Sequence, residues 1–197
     1  DISDTFQSLV NPQRKLGSFT RRFTGITQKE VETAPLFSSI AGSLEDFIGD
    51  LPIVGHNINF DLGFLSAQDF EISNPKTDTW DLAYVLSPLS TEYSLQKLAS
   101  SFNIPQQRAH RALEDATVTS RLFCELIDHL ESLDVYTLME MQILGTRSSW
   151  ILSFILGKLV AHLQSVYAGT TPREPGSKLN HWPPMNFTGI DVSELRN

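Results

Sequence analysis

One histidine and two aspartates are the residues whose types and spacing suit the activation of water. His110 precedes Asp115 by five residues at the start of a predicted amphipathic helix, and Asp61 ends the run G-H-N-I-N-F-D at residues 55–61. A neutral imidazole beside carboxylates that bind a divalent cation is what water-activating hydrolysis of a phosphodiester needs. The spacing of His110 and Asp115 alone is a weak signal, and the second motif upstream gives it weight.

Each of these three side chains has a predicted role. Two divalent ions held by carboxylates would clamp the scissile phosphate and stabilise both the attacking and the leaving oxygen. We predict that Asp115 ligates the ion that holds the nucleophile, that Asp61 acts on the second ion directly or through water, and that His110 is the general base. The alternative is structural, because the helix dipole favours Asp in a first helical turn and a histidine in a loop is unremarkable.

Short elements must position these groups. Residues 52–55, with β-branched Ile53 and Val54, predict a buried parallel strand that delivers His56 and Asn57 to its carboxyl end, where ligands bind in open α/β sheets. A helix beginning near Phe60 would put Asp61 in its first turn. The remaining predictions are a strand at 5–10, a capping box at 27–30, and helices at 36–48, 78–87, 94–102, 112–130, 135–145 and 149–163.

Several polar and apolar residues have structural interpretations that we prefer. Asp78 is predicted to be a helix N-cap with Asp81 at the third helical position, rather than further metal ligands. Phe60 is predicted to lie in the core rather than to stack on a substrate. Cys124, the one cysteine of the chain, is predicted to be buried on an apolar stripe of the helix at 112–130, with Asp115 off that stripe.

The motifs in their order resemble the DEDDh 3′–5′ exonucleases, the DnaQ-like family that includes proofreading subunits. The resemblance covers residues 5–133 and includes T-G-I-T at 24–27, H-N-x-x-F-D at 56–61 and H-R-A-L-E-D-A at 110–116. It implies an RNase H-like (ribonuclease H-like) α/β fold, in which a mixed sheet has flanking helices. It also implies two Mg²⁺ or Mn²⁺ ions per site and substrate contacts by Gly25, Ile26, Thr27, His56 and Asn57.

The family's first motif, a strand bearing D-x-E, does not occur in this chain. We therefore expect the first two strands of the sheet to be missing, and the chain as given to bind Mg²⁺ poorly, to show little activity and to be only marginally folded. The predicted organisation is an exonuclease domain, incomplete at its N-terminus, at 1–133, a helical appendage at 134–168 and a linker toward a further domain at 169–197. The residues after 133 resemble the corresponding part of DinG-like helicase polypeptides.

The composition narrows the classes of partner. The 197 residues carry a net charge of −8, so binding of nucleic acid mainly by phosphate neutralisation is disfavoured, and any contact must be local or mediated by metal ions. The absence of a possible internal disulfide and of a signal peptide favours a cytoplasmic protein with no membrane partner. We predict a single-stranded or frayed DNA 3′ end as substrate, with a fused helicase or a polymerase as further partner.

The best interpretation of the sequence is a metal-dependent 3′–5′ exonuclease that removes nucleoside monophosphates from DNA in replication or repair. Two alternatives stay open. One is a catalytically inactive, exonuclease-like module that binds nucleic acid or a partner through the same cleft, and the other is an RNA-directed member of the family. The groups that would read a 2′-hydroxyl are not identifiable from the sequence.

Overall fold

The structure is a computed structural model that describes residues 2–106, 111–148 and 150–167. It is a helix-rich α/β fold built around two short parallel strands. In chain order the elements are α1 (Ser18–Thr24), α2 (Gln28–Glu32), α3 (Phe37–Ile48), β1 (Ile53–Gly55), α4 (Ile58–Ser66), β2 (Lys76–Asp78), α5 (Thr79–Leu86), α6 (Leu95–Ser101), α7 (Ala112–Glu131), α8 (Val135–Ser148) and α9 (Ser153–Tyr167).

The two strands form a β-α-β unit with α4 as the crossover. Their register pairs Ile53 with Lys76 and Gly55 with Asp78, so both strands end at the same edge. Helix α7 packs against β1, α5 and α6, while α9 packs against α8 and β2. The predicted parallel strand at 53–55 is confirmed, and so are the predicted helices, within a few residues at their ends.

The predicted strand at residues 5–10 is wrong. This segment has no regular secondary structure, and the ring of Phe6 lies 5.7 Å from that of Phe47 on α3. The backbone is held instead by the N–H of Asn11, which donates to the carbonyl of Pro35 at 2.8 Å. Alternation of polar and apolar residues predicts a strand only where a neighbouring strand supplies hydrogen-bond partners, and in the described part of the chain β1 and β2 pair with each other.

The buried face of α7 is the centre of the core. It differs from the predicted apolar stripe, which comprised positions 113, 116, 120, 123, 127 and 130. Val118, Leu122, Leu126 and Leu130 are each no more than 1% exposed. Asp115 lies in line with this face, at its N-terminal end, rather than off it as predicted. Cys124 is exposed, so the prediction of a buried cysteine is wrong: two residues along a helix turn the side chain by about 200°, away from Leu122.

The helices α8 and α9 share this core with the helices before them. Leu138 on α8 and Leu156 on α9 are fully buried and belong to the same apolar cluster as Leu122 and Leu126. No helix in the described ranges is long and apolar enough to cross a membrane. The predicted linker at 169–197 lies outside the described residues.

The carboxylate of Glu131, at the end of α7, is in an unfavourable environment. Its Oε1 is buried and has no hydrogen-bond partner among the described residues. Burial and the nearby charge of Asp128 raise the pKa of Glu131 to about 7. The native state therefore holds a proton at Glu131 that the unfolded chain, with an ordinary glutamate pKa, releases at lower pH.

The buried face of α7 predicts opposite results for two substitutions on the same helix. Leu122→Ala should lower the free energy of unfolding by about 3 kcal/mol, because it removes a fully buried side chain. Cys124→Ala should change it by less than about 0.5 kcal/mol, because that side chain is exposed. Urea denaturation of both variants measures the two free energies of unfolding. A large decrease for Cys124→Ala would mean that Cys124 is buried in the core.

The raised pKa of Glu131 predicts a pH-dependent loss of stability. The stabilisation associated with its protonated form is fully present below about pH 4.5 and is lost as the pH rises through about 7. Glu131→Gln should therefore stabilise the fold at pH 8, by about 1 kcal/mol after allowance for solvent screening of a partly exposed group, and have little effect at pH 4.5. Glu125→Gln, an exposed position on α7, is the matched control. An equal effect of Glu131→Gln at both pH values in urea denaturation would contradict the assignment.

Candidate active site

The candidate site lies at the edge where β1 and β2 end. The residues that follow β1 are His56 and Asn57, and α5 follows β2 directly at Thr79. Helix α4 starts at Ile58, so Asp61 falls in its first turn as predicted. The carboxyl ends of parallel strands are where open α/β sheets bind ligands, and this edge carries the predicted site residues His56, Asn57 and Asp61.

The buried carboxylate of Asp78 joins the two chain segments that leave this edge. It is 5% exposed and accepts three backbone N–H groups, those of Asn57, Ile58 and Trp80, each at 2.9 Å. The prediction that Asp78 is the N-cap of α5 is confirmed. Its bonds to Asn57 and Ile58 were not predicted, because nothing in the sequence indicates that one carboxylate satisfies the N-termini of two helices.

The turn between β1 and α4 is tight. A Cβ atom at Gly55 would lie 2.7 Å from both Cβ and Cγ1 of Ile58, closer than real side-chain atoms approach. Asn57 adopts left-handed backbone angles, with φ 57° and ψ 46°, which Asn tolerates better than most residues. These two constraints explain the glycine directly before the H-N-x-x-F-D motif and the asparagine at its second position.

Both ring nitrogens of His56 lie within hydrogen-bond distance of other groups of the protein. Its Nδ1 lies 2.9 Å from the hydroxyl of Thr79, and its Nε2 lies 2.9 Å from the carbonyl of Tyr93. Burial lowers the pKa of His56, against smaller opposing effects of Asp78 and the Tyr93 carbonyl. In the neutral ring, Nε2–H donates to the carbonyl of Tyr93, and Nδ1 lies beside the Thr79 hydroxyl, which is also 3.1 Å from the Gly55 carbonyl. The contact of His56 with substrate stays a prediction, and in the structure both ring nitrogens have partners that hold the turn.

Asp61 and Asp115 each lie in the first turn of a helix, α4 and α7 respectively, and the charge of Asp115 acts on Asp61. Partial burial by surrounding protein raises the pKa of Asp61, although its side chain is exposed on one side, and the charges of Asp78 and Asp115 raise it further. Such mutual repulsion means that the carboxylates lie within electrostatic reach of each other. A bound divalent cation relieves this kind of repulsion, and carboxylate oxygens are ligands that Mg²⁺ prefers.

The two aspartates supply only part of a metal site. Within residues 2–106, 111–148 and 150–167, no group of three or more His, Cys, Asp or Glu side chains is arranged to hold a metal ion. Mg²⁺ is often bound by one or two protein carboxylates, with water and substrate phosphates completing its shell. Asp61 and Asp115 fit this partial role. His110, the predicted general base, lies outside the described residues.

The T-G-I-T loop lies beside the start of α7. Gly25 ends α1 in the left-handed conformation, with φ 69°, and a Cβ there would lie 3.7 Å from a guanidinium nitrogen of Arg111. Arg111 is the N-cap residue of α7, four residues before Asp115. The predicted capping box is confirmed, with the Thr27 N–H donating to Glu30 at 2.6 Å. The loop that carries Gly25, Ile26 and Thr27 therefore flanks the helix that carries Asp115.

Two further predictions near the site have clear outcomes. Phe60 is 65% exposed, so its predicted place in the core is wrong: it lies on the opposite side of α4 from the buried Ile58 and packs edge-on against Phe64. Asp81 occupies the third position of α5, as predicted. Burial and the charge of Asp78 raise the pKa of Asp81, while a hydrogen bond from Trp150 lowers it.

The tight turn predicts opposite effects on stability for alanine substitution of two glycines, Gly55 before the turn and Gly63 inside α4. Gly55→Ala should destabilise the fold by about 2 kcal/mol and displace α4, because the new methyl group overlaps Ile58. Gly63→Ala, inside α4, meets nothing within 4 Å and should stabilise the fold by about 0.5–1 kcal/mol. Thermal or urea denaturation measures both, and a neutral Gly55→Ala would show that the turn is looser than described.

Sequence comparison identifies relatives with known activities. The 3′–5′ exonuclease DinG of Staphylococcus epidermidis is 32% identical over 170 residues, which is 83% of this chain and 19% of the relative. The PolC-type DNA polymerase III of Caldanaerobacter subterraneus subsp. tengcongensis is 32% identical over 143 residues, 71% of this chain and 10% of the relative. The chain thus spans about a fifth or less of the length of these relatives.

Comparison of structures identifies a similar fold. Exonuclease X, solved in complex with 5′ overhanging duplex DNA, superposes with a TM-score of 0.51 at 24% identity, covering 60% of this chain and 70% of that chain. The family model described as exonuclease (RNase_T) matches residues 1–123, well over half of the chain. The match confirms the resemblance to exonucleases inferred from the motifs: this chain belongs to the RNase_T exonuclease family.

Proposed function

We propose that the chain is the exonuclease domain of a metal-dependent 3′–5′ exonuclease that removes nucleoside monophosphates from DNA 3′ ends. The observation that carries the proposal is that Asp61 lies in the first turn of α4, directly after the carboxyl end of β1, within electrostatic reach of Asp115 in the first turn of α7. Family membership supports phosphodiester hydrolysis. The names of the DinG and PolC relatives support 3′–5′ polarity and a place in DNA metabolism.

In this proposal the two aspartates bind Mg²⁺ or Mn²⁺, and the metal ions supply charge stabilisation at the scissile phosphate. Two ions act per site, with Asp115 on the nucleophile side and Asp61 on the leaving-group side. His110 accepts the proton of the attacking water. Asp78 and His56 hold the turn that aims Asp61, while Asn57 and the loop at 24–27 border the terminal nucleotide.

The proposed organisation has three parts: the exonuclease domain at 1–133, a helical appendage at 134–168 and a linker at 169–197. The proposed fold is RNase H-like, completed by strands that carry the D-x-E motif. A fused helicase or a partner polymerase is proposed from the names of the relatives. The protein is proposed to act in the cytoplasm.

One observation favours a second candidate function, a binding module that does not cut. In the described part of the chain the acidic site has two suitably placed carboxylates rather than a group of three or more. If the native gene product supplies no further acidic ligand, Asp61 and Asp115 alone would hold a metal ion weakly. The cleft would then bind a nucleic-acid end or a partner without hydrolysing it.

Removal of one proposed ligand separates these candidates. In the native, full-length gene product with Mg²⁺ or Mn²⁺, Asp115→Asn should reduce degradation of a 5′-labelled DNA oligonucleotide at least 100-fold, because it removes both a charge and a metal ligand. Asp128→Asn, an exposed position on the same helix, should leave the rate unchanged. Chelation by EDTA should abolish cleavage, and added Mg²⁺ or Mn²⁺ should restore it.

The same assay identifies the outcome that defeats the proposal. A native protein that binds the oligonucleotide but leaves its 3′ end intact with either metal would be a binding module. Cleavage that survives both EDTA and Asp115→Asn would place the reaction at a different site.

A further inference from the structure

Three aromatic side chains form a surface cluster beside the site, which we call the aromatic platform: Trp80, Tyr84 and Tyr93. Trp80 and Tyr84 lie one turn apart on α5, with ring centroids 5.5 Å apart and planes within 5° of parallel. The ring of Tyr93 contacts both, at 5.6 Å from Trp80 and 5.4 Å from Tyr84. Trp80 is 38% and Tyr84 52% exposed.

The rings of the platform are fixed before anything binds. The Tyr93 hydroxyl donates to the carbonyl of Ser87 at 2.7 Å, and Trp80 and Tyr84 hold each other by stacking. Immobilising flexible side chains is a principal cost of binding, and rings that are already ordered avoid it. Exposed and ordered aromatic faces are the kind of surface on which planar groups stack.

The platform is continuous with the candidate active site. The backbone N–H of Trp80 donates to the same Asp78 carboxylate that holds the turn before Asp61. The carbonyl of Tyr93 is the hydrogen-bond partner of His56 Nε2. The turn that precedes Asp61 is therefore bonded to the backbone of two platform residues.

Charge decides which part of a nucleic acid this surface suits. Helix α5 contains no Lys or Arg, Asp81 and Glu92 lie next to platform residues in sequence, and the chain as a whole carries a net charge of −8. Helix α5 therefore offers no Lys or Arg side chain to form an ion pair with a phosphate group. Nucleobases need none, because every base presents a π face, and stacking of one base on an aromatic side chain contributes about 1–3 kcal/mol.

We propose that the aromatic platform stacks unpaired nucleobases of the strand being degraded, upstream of its 3′-terminal nucleotide. The proposal rests on the proposed function. It specifies that the substrate is a single strand, which the protein binds through the faces of its bases. The platform thereby supplies affinity that an acidic protein does not obtain from phosphate neutralisation.

The test compares two oligonucleotides that have the same phosphates and different bases. One is a 20-nucleotide thymidine strand, and the other has abasic sites at every position except the last two at the 3′ end. With the native, full-length gene product and Mn²⁺, the KM for the abasic strand should exceed that for the thymidine strand about five- to tenfold, the lower part of the stacking range. Tyr84→Ala should bring this ratio near one, and Tyr84→Phe, which keeps the ring, should retain it.

Tyr136→Ala is the matched control, an exposed tyrosine of α8 that is 41% exposed and should keep the wild-type ratio. Equal KM values of the wild-type protein on the two strands would overturn the proposal. The proposal would also be overturned if Tyr84→Ala raised the KM equally on both strands and lowered the melting temperature. That result would mean that the platform packs against another segment of the protein.

The experiment also separates this inference from the proposed function. If the native protein cleaves neither strand, the proposed function fails, and fluorescence anisotropy with the same two oligonucleotides decides the platform alone. Tighter binding of the thymidine strand, lost in Tyr84→Ala and kept in Tyr84→Phe, supports the platform. Equal or absent binding of both strands overturns it.

Discussion

The candidate site depends on one buried carboxylate whose hydrogen-bond partners are backbone N–H groups. Asp78 accepts N–H groups from the start of α4 and from the start of α5, so it fixes the relative position of the two helices that leave the sheet edge. Unsatisfied backbone donors in a buried turn would be costly, and an anion placed between two helix N-termini is favoured by both dipoles. Asp61 owes its position to this bond network, because it lies three residues beyond Ile58.

The sequence predicted the parts of this arrangement that depend on neighbouring residues. The strand at 53–55, the capping box at Thr27 and the N-cap at Asp78 are local patterns, and each is present in the structure. A shared metal site of Asp61 and Asp115 stays a prediction from the resemblance to exonucleases, because spacing along the chain contains no spatial arrangement.

The errors have a common physical origin, which is that burial depends on what packs against an element. Residues 5–10 alternate like a strand, and they lie against α3 instead of pairing in the two-stranded sheet. Phe60 and Cys124 are apolar residues on amphipathic helices, and each lies on the side away from the core. A shift of one or two positions in the assumed helical face is enough to exchange exposed and buried side chains. The internal hydrogen bonds of His56 were likewise beyond local patterns, because its partners Thr79 and Tyr93 are 23 and 37 residues away.

The exposed position of Cys124 has a practical consequence. It is the one cysteine of the chain, and it lies on the outer side of the helix whose first turn carries Asp115. A thiol-reactive fluorophore would therefore attach at a single point of this chain without removal of other cysteines. The distance from that point to a dye on a nucleic-acid strand, read by energy transfer, would report the direction in which the strand leaves α7.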